Sequence, residues 1–597
     1  NWIGSTTDDE FYEACDQYGI MIWDDFWLNS IANLPNDIYN FNMNAVEKIK
    51  RFRNHPAIAI WCGDNEGFPE PPLSGWLQEN IKTFDGGDRY FQPNSKMPNL
   101  TGSGPWTNTE VTWYFAKSPN GFGGNPGWGL RSEIGTAVFT NFESFKKFMP
   151  KEDWWPRNEM WNKHFFGTSA GNASPDRYDA AITKSYGAPD GIEDYCRKAQ
   201  LLNIETNKAM YEGWLDNMWE DASGILTWMS QSAYPSFVWQ TYDYYYDLNG
   251  AYWGAKKACE PLHIQWNPVN NSIKVINTTR NTHEGLTAEL EIYNKDGKRA
   301  DEYSKTATIG AAPSSATKVF DIPFAQNSVN IALGKPAYAS TVGHGEASLA
   351  TDGRVDTRWA SLQNDREWIY VDLGKEETVT GVGITWEEAY GRGFRIEVSN
   401  DAKNWDEVYS TSEGNGGVQK IAFDEVKARY VRMAGILRAS GWGYSIWEFE
   451  VYGTAGKATN LSDVHFIKLK LKDKAGKLVS DNFYWRGNKR SNYTGLGSLP
   501  QVNLKVSSKT TKANGKYMVK ATITNPALSA GVAVAVRVQA VKASNGEQIL
   551  PVFTNDNYFS LVKGESKDVW IEFDEKYLGA NDSVKLLVEP YNKPTAK

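Results

Sequence analysis

The pattern of apolar and polar positions changes once along the chain, near residue 261. Before this point, segments with apolar residues at helical spacing alternate with short apolar runs. Strands that alternate with helices favour a parallel sheet with helical crossovers. The predicted helices are residues 8–18, 43–53 and 192–219, the last with one break, and the predicted strands begin at Ile20, Ala57, Val111, Gly129 and Gly224.

Beyond residue 261 the pattern is that of an all-β chain. Apolar and polar residues alternate in LHIQW, SIKVINTT and LTAELEIYN, and turn residues such as Lys295-Asp296-Gly297 separate these runs. Residues 327–453 have their own beginning and end, and the earlier strand pattern resumes at Val464. The final hundred residues contain four more such runs, typical of an immunoglobulin-like sandwich.

Composition narrows the classes of function. Lysine and arginine number 63 against 72 for aspartate and glutamate, so the formal net charge is −9, which argues against nucleic acid or an anionic membrane as the main partner. The 25 tryptophans suit sugar rings as well as a packed core. The sequence contains no run of 18 apolar residues and therefore predicts no membrane helix. Four cysteines without metal-ligand spacing predict buried thiols.

Two glutamates at the ends of predicted buried strands are candidate catalytic groups. Glu66 follows IAIWCGDN, and Glu133 lies in LRSEIG. In a parallel α/β barrel, catalytic side chains come from the carboxyl ends of the strands. A pair of carboxylates can hydrolyse a glycosidic bond, one as acid and one as nucleophile. A strand-end glutamate is also common as a salt-bridge partner, so the pattern alone leaves both interpretations open.

The segment RNHPAIAIWCGDNEG resembles the acid/base segment of glycoside hydrolase family 2, and SEIG is similar to the nucleophile segment of that family. DDEFYEACDQYGIMIWDDF resembles the second helix and third strand of the same barrel. GAYWGAKKACEPLHIQW, with VINTT after it, resembles the barrel exit in the branch of exo-β-glucosaminidases and β-mannosidase-like enzymes. The likeness covers residues 1 to about 325 and about 457 to 597. It implies a (β/α)8 TIM barrel followed by immunoglobulin-like β-sandwiches.

The resemblance also implies roles for individual residues. Glu66 is the acid/base and Glu133 is the nucleophile of a retaining mechanism. For Tyr114 and Trp228, the alternative to sugar contact is packing in the core. For Asp24 and Asp25, which follow the third strand, the alternative is a capping role. The implied substrate-binding residues are Asn65, Asp24, Asp25, Tyr114 and Trp228.

The residue before the acid/base glutamate bears on the sugar. Exo-β-glucosaminidases typically carry an acidic residue there, whereas this chain has Asn65, with Asp64 one position earlier. An amide is neutral and suits a hydroxyl better than an ammonium group. We therefore expect a β-mannoside to be favoured and a β-glucosaminide to come next.

The predicted strands supply positions three to eight of an eight-stranded barrel. An open barrel exposes strand edges and apolar surface. We therefore expect the first barrel strands and an N-terminal β-domain segment to lie on a separate fragment or outside this sequence. Residues 1–261 by themselves are not expected to form a stable active site.

Residues 327–453 resemble a discoidin-like module, of the coagulation factor type C and of carbohydrate-binding module family 32. The segments NIALGKPAYASTV, ATDGRVDTRWAS, ARYVRMAG and WEFEVYG carry this likeness in order. It implies a structural calcium, since hard oxygen ligands suit that ion; an aspartate-rich turn that binds nothing is the alternative. The implied ligands are the side chains of Asp352, Thr357 and Glu448 and the backbone oxygens of Ala350 and Asp356.

The same likeness predicts a rim that exposes aromatic and basic side chains. Such a rim grips a sugar in some relatives, whereas others use the fold for protein or lipid contact or as a spacer. The predicted rim residues are His344, Trp386, Tyr390, Arg392 and Trp442.

These observations predict a multidomain α/β plus all-β protein and a secreted or periplasmic retaining exo-β-glycosidase. It would remove single sugars from an oligosaccharide or glycoprotein glycan without a cofactor for catalysis. An endo-β-mannosidase acting on glycoprotein glycans and a non-catalytic carbohydrate-binding scaffold remain alternatives. The predicted domains are a catalytic TIM barrel (1–261), an interrupted immunoglobulin-like sandwich (262–325 with 457–490), a discoidin-like insert (326–454) and a C-terminal immunoglobulin-like sandwich (491–597).

Overall fold

The computed structural model describes residues 1, 6–29, 34–96, 100–115, 129–220, 222–324, 326–455, 461–489, 491–579 and 581–593. The chain forms two compact units, one made of residues 1–322 with 461–597 and the other of residues 323–460. No helix in the described ranges is long and apolar enough to cross a membrane. The helices are α1 (Asp9–Tyr18), α2 (Ile38–Phe52), α3 (Leu73–Phe84), α4 (Phe142–Phe148), α5 (Glu159–Lys163), α6 (Pro175–Tyr186), α7 (Ile192–Asp216) and α8 (Gly250–Ala258).

Five parallel strands alternate with helices in the first part of the chain, which confirms the predicted crossover pattern. The first three form one sheet in chain order, and the last two pair with each other. A parallel bridge between Ser103 and Glu133 adds a further short segment beside the second pair. These strands are β1 (Ile22–Asp25), β2 (Ile58–Asp64), β3 (Tyr90–Asn94), β4 (Gly129–Ile134) and β5 (Ala222–Thr227).

Local signals explain where the first helices begin and end. Helix α1 ends at Gly19, whose φ of 69° lies in the left-handed region that glycine adopts without strain. Helix α2 begins five residues earlier than predicted because the Asp37 side chain accepts a hydrogen bond from the Asn40 N–H at 2.9 Å. Helix α7 runs without the predicted break.

The prediction of a strand from Val111 is wrong. Residues Val111–Phe115 form a 3₁₀ helix. Tyr114 and Phe115 are buried in a cluster with Met210 and Trp214 of α7. Packing against a helix, rather than a sheet, therefore buries this short apolar run. Strand β3 was not predicted from the sequence because it contains a proline, which is uncommon inside a sheet.

Three of the four cysteines are buried, as predicted, whereas Cys259 is exposed; all four are free thiols.

Helices α7 and α8 approach each other closely at two glycines. A Cβ on Gly250 would lie 2.5 Å from the Gln200 carbonyl oxygen, and one on Gly254 would lie 2.4 Å from that of Ile204. Both distances are far below van der Waals contact, so the glycines let the two backbones pack directly. This contact fixes α8 on the long helix α7 that precedes it.

We predict that Gly254→Ala lowers the free energy of unfolding by about 1–3 kcal/mol, because a buried backbone must move to admit the methyl group. Gly75→Ala in α3 is the control, since a Cβ there meets nothing within 4 Å and alanine favours a helix by up to about 1 kcal/mol. Calorimetric unfolding of both variants measures the difference. Shifts of the same sign would contradict the packing argument.

Antiparallel strands follow the helical region. Strands β7 and β10 pair, and β7 also pairs with β6, while β8 and β9 belong to a separate sheet. The turn predicted at Lys295-Asp296-Gly297 follows β8, with Gly297 at a φ of 77°. These strands are β6 (Leu262–Trp266), β7 (Ser272–Asn277), β8 (His283–Asn294), β9 (Lys305–Ala311) and β10 (Ser315–Asp321).

The unit formed by residues 323–460 is a β-structure with its own core. Its long strands pair side by side around buried side chains that include Trp359, Phe394 and Tyr444. Its strands are β11 (Gln326–Asn330), β12 (Ala337–Ala339), β13 (Trp359–Ala360), β14 (Trp368–Trp386), β15 (Gly391–Ser399), β16 (Asp406–Thr411), β17 (Val418–Arg438) and β18 (Ser445–Ala455).

The first sandwich is completed by strands that follow this unit. Strand β19 (Val464–Lys472) pairs with β8 in antiparallel register, and β20 (Leu478–Gly487) pairs with β19. Residues 323–460 are therefore inserted into the sandwich, and the predicted bounds of the insert, 326–454, lie close to those of this unit.

Seven strands in two sheets form the C-terminal sandwich. One sheet has four strands and the other three. These strands are β21 (Lys505–Ala513), β22 (Lys516–Thr524), β23 (Ala533–Lys542), β24 (Phe553–Thr554), β25 (Phe559–Leu561), β26 (Ser566–Asp574) and β27 (Val584–Glu589).

Candidate active site

Glu66 lies just after the carboxyl end of β2 in an unusual backbone conformation. Its φ is 62°, a region that a glutamate rarely adopts and that clusters at functional sites. Its N–H donates to Ser95 Oγ at 2.9 Å, and the Ser103 hydroxyl donates to its carboxylate. The backbone and the side chain of Glu66 are thus each held by a serine from a neighbouring segment.

Glu133 lies on β4 beside the segment that carries Ser103. Its carbonyl oxygen accepts the Gly104 N–H at 2.8 Å. Burial, with smaller contributions from the charges of Glu66 and Asp25, raises the pKa of Glu133 to about 8. The two glutamates predicted to be catalytic therefore lie in one site, joined through Ser103.

Two aspartates complete a cluster of four carboxyl groups. Burial raises the pKa of Asp25 to about 6, and burial together with the charge of Asp25 does the same for Asp64. The Trp23 indole donates to Asp25 at 2.9 Å. Both carboxylate oxygens of Asp64 are buried without a hydrogen-bond partner among the described residues. The site therefore concentrates carboxyl groups that the hydrogen-bond donors among the described residues only partly satisfy.

Asn65 stands next to Glu66, as the sequence requires, but its amide group is already engaged. Its Nδ2 donates to Asn29 Oδ1 at 3.3 Å, and its Oδ1 accepts from Ser95 Oγ at 3.3 Å. These contacts fix the orientation of the side chain. A sugar hydroxyl bound to Asn65 would therefore share its amide group with Asn29 and Ser95.

The structure does not support substrate contacts for Asp24. Its carboxylate is fully buried, and it accepts hydrogen bonds from Lys48 Nζ at 2.8 Å and from the Tyr12 hydroxyl at 2.8 Å. Successive strand residues point to opposite faces, so Asp24 faces helices α1 and α2 while Asp25 faces the other way. Asp24 is a structural ion-pair partner rather than a sugar ligand.

Tyr114 likewise lies in a hydrophobic cluster, in which its neighbours include Ile134 and Trp214. Because its side chain is fully buried, packing explains it and direct contact with a sugar does not. The sequence analysis predicts Tyr114 beside the nucleophile because it predicts a strand from Val111, but this segment is a 3₁₀ helix.

Trp228 belongs to a group of three tryptophans beside Glu133. Its backbone N–H donates to the Ile134 carbonyl oxygen at 2.8 Å. The Trp106 ring lies edge-on to both Trp228 and Trp239, at centroid distances of 6.2 and 6.0 Å. Sequence reasoning missed Trp106 and Trp239, whose only signal was their aromatic character within loops. We call these three residues the tryptophan triad.

The raised pKa of Glu133 makes a prediction about stability. The folded protein keeps a proton on this carboxyl up to about pH 8, whereas the unfolded chain releases it near the ordinary pKa of 4.5. Folding is therefore opposed increasingly as the pH rises through this interval. We expect Glu133→Gln to have a higher Tm than wild type at pH 8 and the same Tm below about pH 4. A Tm difference that does not change with pH would contradict the assignment.

Comparison with known proteins places two domains in known groups. Residues 336–449 match the F5/8 type C domain, and residues 482–593 match the exo-beta-D-glucosaminidase Ig-fold domain. Among curated proteins, 378 aligned residues are 26% identical to the mannosylglycoprotein endo-beta-mannosidase of Lilium longiflorum, covering 55% of this chain and 39% of that protein. The exo-beta-D-glucosaminidase of Amycolatopsis orientalis is 30% identical over 349 residues, 53% of this chain and 33% of its own length.

The chain is a relative of the exo-β-glucosaminidases and β-mannosidases. The predicted resemblance to that branch of glycoside hydrolases and to a discoidin-like module is thereby confirmed. The crystal structure of the A. orientalis exo-chitosanase shares the fold, with a TM-score of 0.67 at 20% identity over 99% of this chain and 58% of that one. The matched region spans 39% and 33% of the length of these two curated relatives.

In the discoidin-like module, the residues predicted to bind calcium lie together. Glu448 Oε1 accepts the N–H groups of Gly353 and Arg354, both at 2.9 Å. The Thr357 hydroxyl donates to Asp352 at 2.8 Å. Burial, with a smaller contribution from Asp352, raises the pKa of Glu448 to about 7. The Asp356 side chain pairs with Arg354. From Asp356, as from Ala350, the resemblance implies the backbone oxygen as the ligand.

The predicted sugar-binding rim is only partly exposed. Trp386 is in the module core, 4% exposed, with its indole donating to Gln419 at 2.7 Å, so its predicted place on the rim is wrong. Tyr390 is half-buried, packed close to Gly416. His344, Arg392 and Trp442 are exposed, the last by 69%. Sugar binding by these three remains a prediction.

Proposed function

We propose that this protein is a retaining exo-β-glycosidase in which Glu66 is the acid/base and Glu133 the nucleophile. The observation that carries the proposal is the convergence of the two glutamates through Ser103, which bonds to the carboxylate of one and bridges the backbone of the other. The proposed catalytic domain is a (β/α)8 barrel. The parallel strands β1–β5 support it, with the first strands and an N-terminal β-domain segment contributed from outside this sequence.

Each residue then has a defined step. Ionised Glu133 attacks the anomeric carbon while Glu66 gives its proton to the departing oxygen. A glycosyl ester forms on Glu133. Glu66 then removes a proton from water, and the resulting oxygen nucleophile attacks the anomeric carbon and releases Glu133 as a carboxylate. The tryptophan triad supplies apolar faces beside the reacting sugar.

The charge of the site favours an amino sugar. Burial, with smaller contributions from the charges of Glu66 and Asp25, raises the cost of ionising Glu133, and a bound ammonium group would lower that cost through its opposite charge. The Asp64 carboxylate, unpaired among the described residues, offers such a group a partner. We therefore place a terminal β-glucosaminide first and the β-mannoside, favoured by the neutral Asn65, second. Exo-beta-D-glucosaminidases and beta-mannosidases both occur among the relatives.

A panel of aryl β-glycosides tests the proposal with the full-length protein. It includes glucosaminide, mannoside, galactoside, glucoside and glucuronide, each beside Glu133→Gln. Turnover of the glucosaminide alone supports the charge argument, and turnover of the mannoside alone contradicts it. Cleavage only inside glycoprotein glycans would favour the endo-β-mannosidase alternative. Binding of glycans without any hydrolysis would favour a carbohydrate-binding scaffold.

We also propose that the enzyme acts outside the cytoplasm, secreted or periplasmic. Its proposed substrates are terminal sugars of large glycans, and the discoidin-like module is a second domain able to hold an enzyme near such material. Fractionation of the producing cells, with activity measured in each fraction, checks this location.

We propose a structural calcium in the discoidin-like module and no cofactor for catalysis. Asp352, Thr357 and Glu448 present two carboxylates and a hydroxyl in one place, a donor set that fits a hard cation. Backbone oxygens of Ala350 and Asp356 would complete it. The ion would stabilise the two adjacent carboxylates in their charged form.

We predict that millimolar calcium raises the Tm of the module by several degrees and that chelation reverses the change, because a ligand that binds only the folded state stabilises it. Glu448→Gln is expected to abolish the response. Glu450→Gln is the control, since Glu450 lies two residues away and bonds to Tyr452. An equal calcium response in wild type and Glu448→Gln would exclude this site.

A further inference from the structure

The loop after β5, residues 228–249, brings two members of the tryptophan triad to the candidate active site. The Met229 N–H donates to the Trp239 carbonyl at 2.7 Å, which closes the loop on itself beside Glu133. The Trp239 indole donates to the Trp106 carbonyl at 3.1 Å. A Cβ on Gly135 would lie 2.3 Å from the Trp228 carbonyl oxygen. The loop is therefore packed directly on the segment that follows the nucleophile.

The far end of this loop is tied down by two buried aspartates. Asp243 accepts from the Thr140 hydroxyl at 2.7 Å, and Asp247 accepts from Asn141 Nδ2 at 2.8 Å. The Asp243 carboxylate also accepts the Asp247 N–H at 3.1 Å. These bonds link the loop to residues 140 and 141, which continue from the nucleophile strand.

Arg537, on β23 of the C-terminal sandwich, reaches into this group. Its Nη2 donates to Asp247 at 2.9 Å, and its Nη1 pairs with Glu143 of α4. Tyr558 of the same sandwich donates to Asn141 at 2.7 Å. Only 14% of the Arg537 side chain and 8% of that of Asp247 are exposed. The C-terminal sandwich thus supplies the cation that pairs with Asp247 of the loop and with Glu143 of α4.

We propose that Arg537 is a positioning residue for the sugar site, which makes the C-terminal sandwich a working part of the active site. This inference rests on the proposed function. Arg537 holds Asp247, Asp247 fixes the loop, and the loop places Trp228 and Trp239 beside Glu133. Removing the guanidinium leaves buried carboxylates without their cation, a strongly unfavourable state that loop displacement would relieve.

The test compares full-length Arg537→Met with Arg197→Met. Arg197 is a matched control because it also joins the helical region to the C-terminal sandwich, through the Tyr591 ring and carbonyl, and has no hydrogen bond to the loop. Hydrogen exchange is measured at residues 228–249, and KM and kcat are measured on the active aryl glycoside well below each Tm. Arg537→Lys and Asp247→Asn take the place of Arg537→Met if that variant does not fold.

We expect at least tenfold faster exchange in the loop and at least a tenfold higher KM in Arg537→Met. Arg197→Met should match wild type, and Arg537→Lys, which keeps the charge, should recover part of the loss. A lower Tm with unchanged loop exchange, or faster exchange with unchanged kinetics, would overturn the inference. A wild-type protein inactive on every sugar would instead overturn the proposed function, and the exchange comparison would still decide whether Arg537 orders the loop.

Discussion

Replacement of Glu133 by Gln is expected to lower kcat/KM for the best aryl glycoside by at least about 10³-fold, because the amide cannot form the glycosyl ester. Steady-state kinetics with the full-length protein provide the measurement. The substitution preserves size and removes a carboxyl group that burial keeps from ionising easily, so the variant should remain folded.

A matched variant separates chemistry from loss of buried charge. Glu205, like Glu133, is half-buried; burial raises its pKa to about 7, and it accepts a hydrogen bond from the Tyr186 hydroxyl at 2.9 Å. Glu205→Gln should retain activity within a few-fold of wild type. Comparable losses in both variants would show that the effect of Glu133→Gln comes from the fold and not from the nucleophile.

Replacement of Glu66 by Gln should have an effect that depends on the leaving group. For substrates with poor leaving groups, loss of the general acid is expected to cost about 10²–10⁴-fold in rate. A dinitrophenyl glycoside needs no protonation to depart, so its first step should be nearly unaffected. The measurement is the rate across a series of aryl leaving groups. A uniform loss across the series would contradict the acid/base role.

The parts of the fold that could be predicted are those whose signals are local. Gly19 ends α1 where the sequence indicates, and β2 and β4 carry their glutamates at the expected ends. Strand β2 is an apolar run that can be recognised without knowledge of its partners, whereas β4 carries Arg131, Ser132 and Glu133 and is indicated by its resemblance to a nucleophile segment. The strand pattern that resumes at Val464 predicts a sandwich interrupted by the insert, and the structure adds that β19 pairs with β8.

The parts that could not be predicted depend on distant partners. Asp24 and Asp25 are equivalent in sequence, and only the position of Lys48 shows which one is withdrawn from the site. The sequence predicts Trp386 on the rim, but its strand β14 lies between β17 and β18, and Trp386 is buried in the module core. Ser103 lies in a short glycine-rich segment that has no strand pattern, although it joins both glutamates.

The insertion between β10 and β19 also sets an order of events during synthesis. Strand β8 ends at Asn294 and its partner β19 begins at Val464, so at about 5–20 residues per second the ribosome needs roughly 10–30 s to deliver the partner. Throughout that interval the edge of β8 that β19 will cover is unpaired and open to wrong partners. The discoidin-like module, complete before β19 emerges, can fold first. The nascent chain therefore closes its sandwich only after an entire domain has been made in the middle of it.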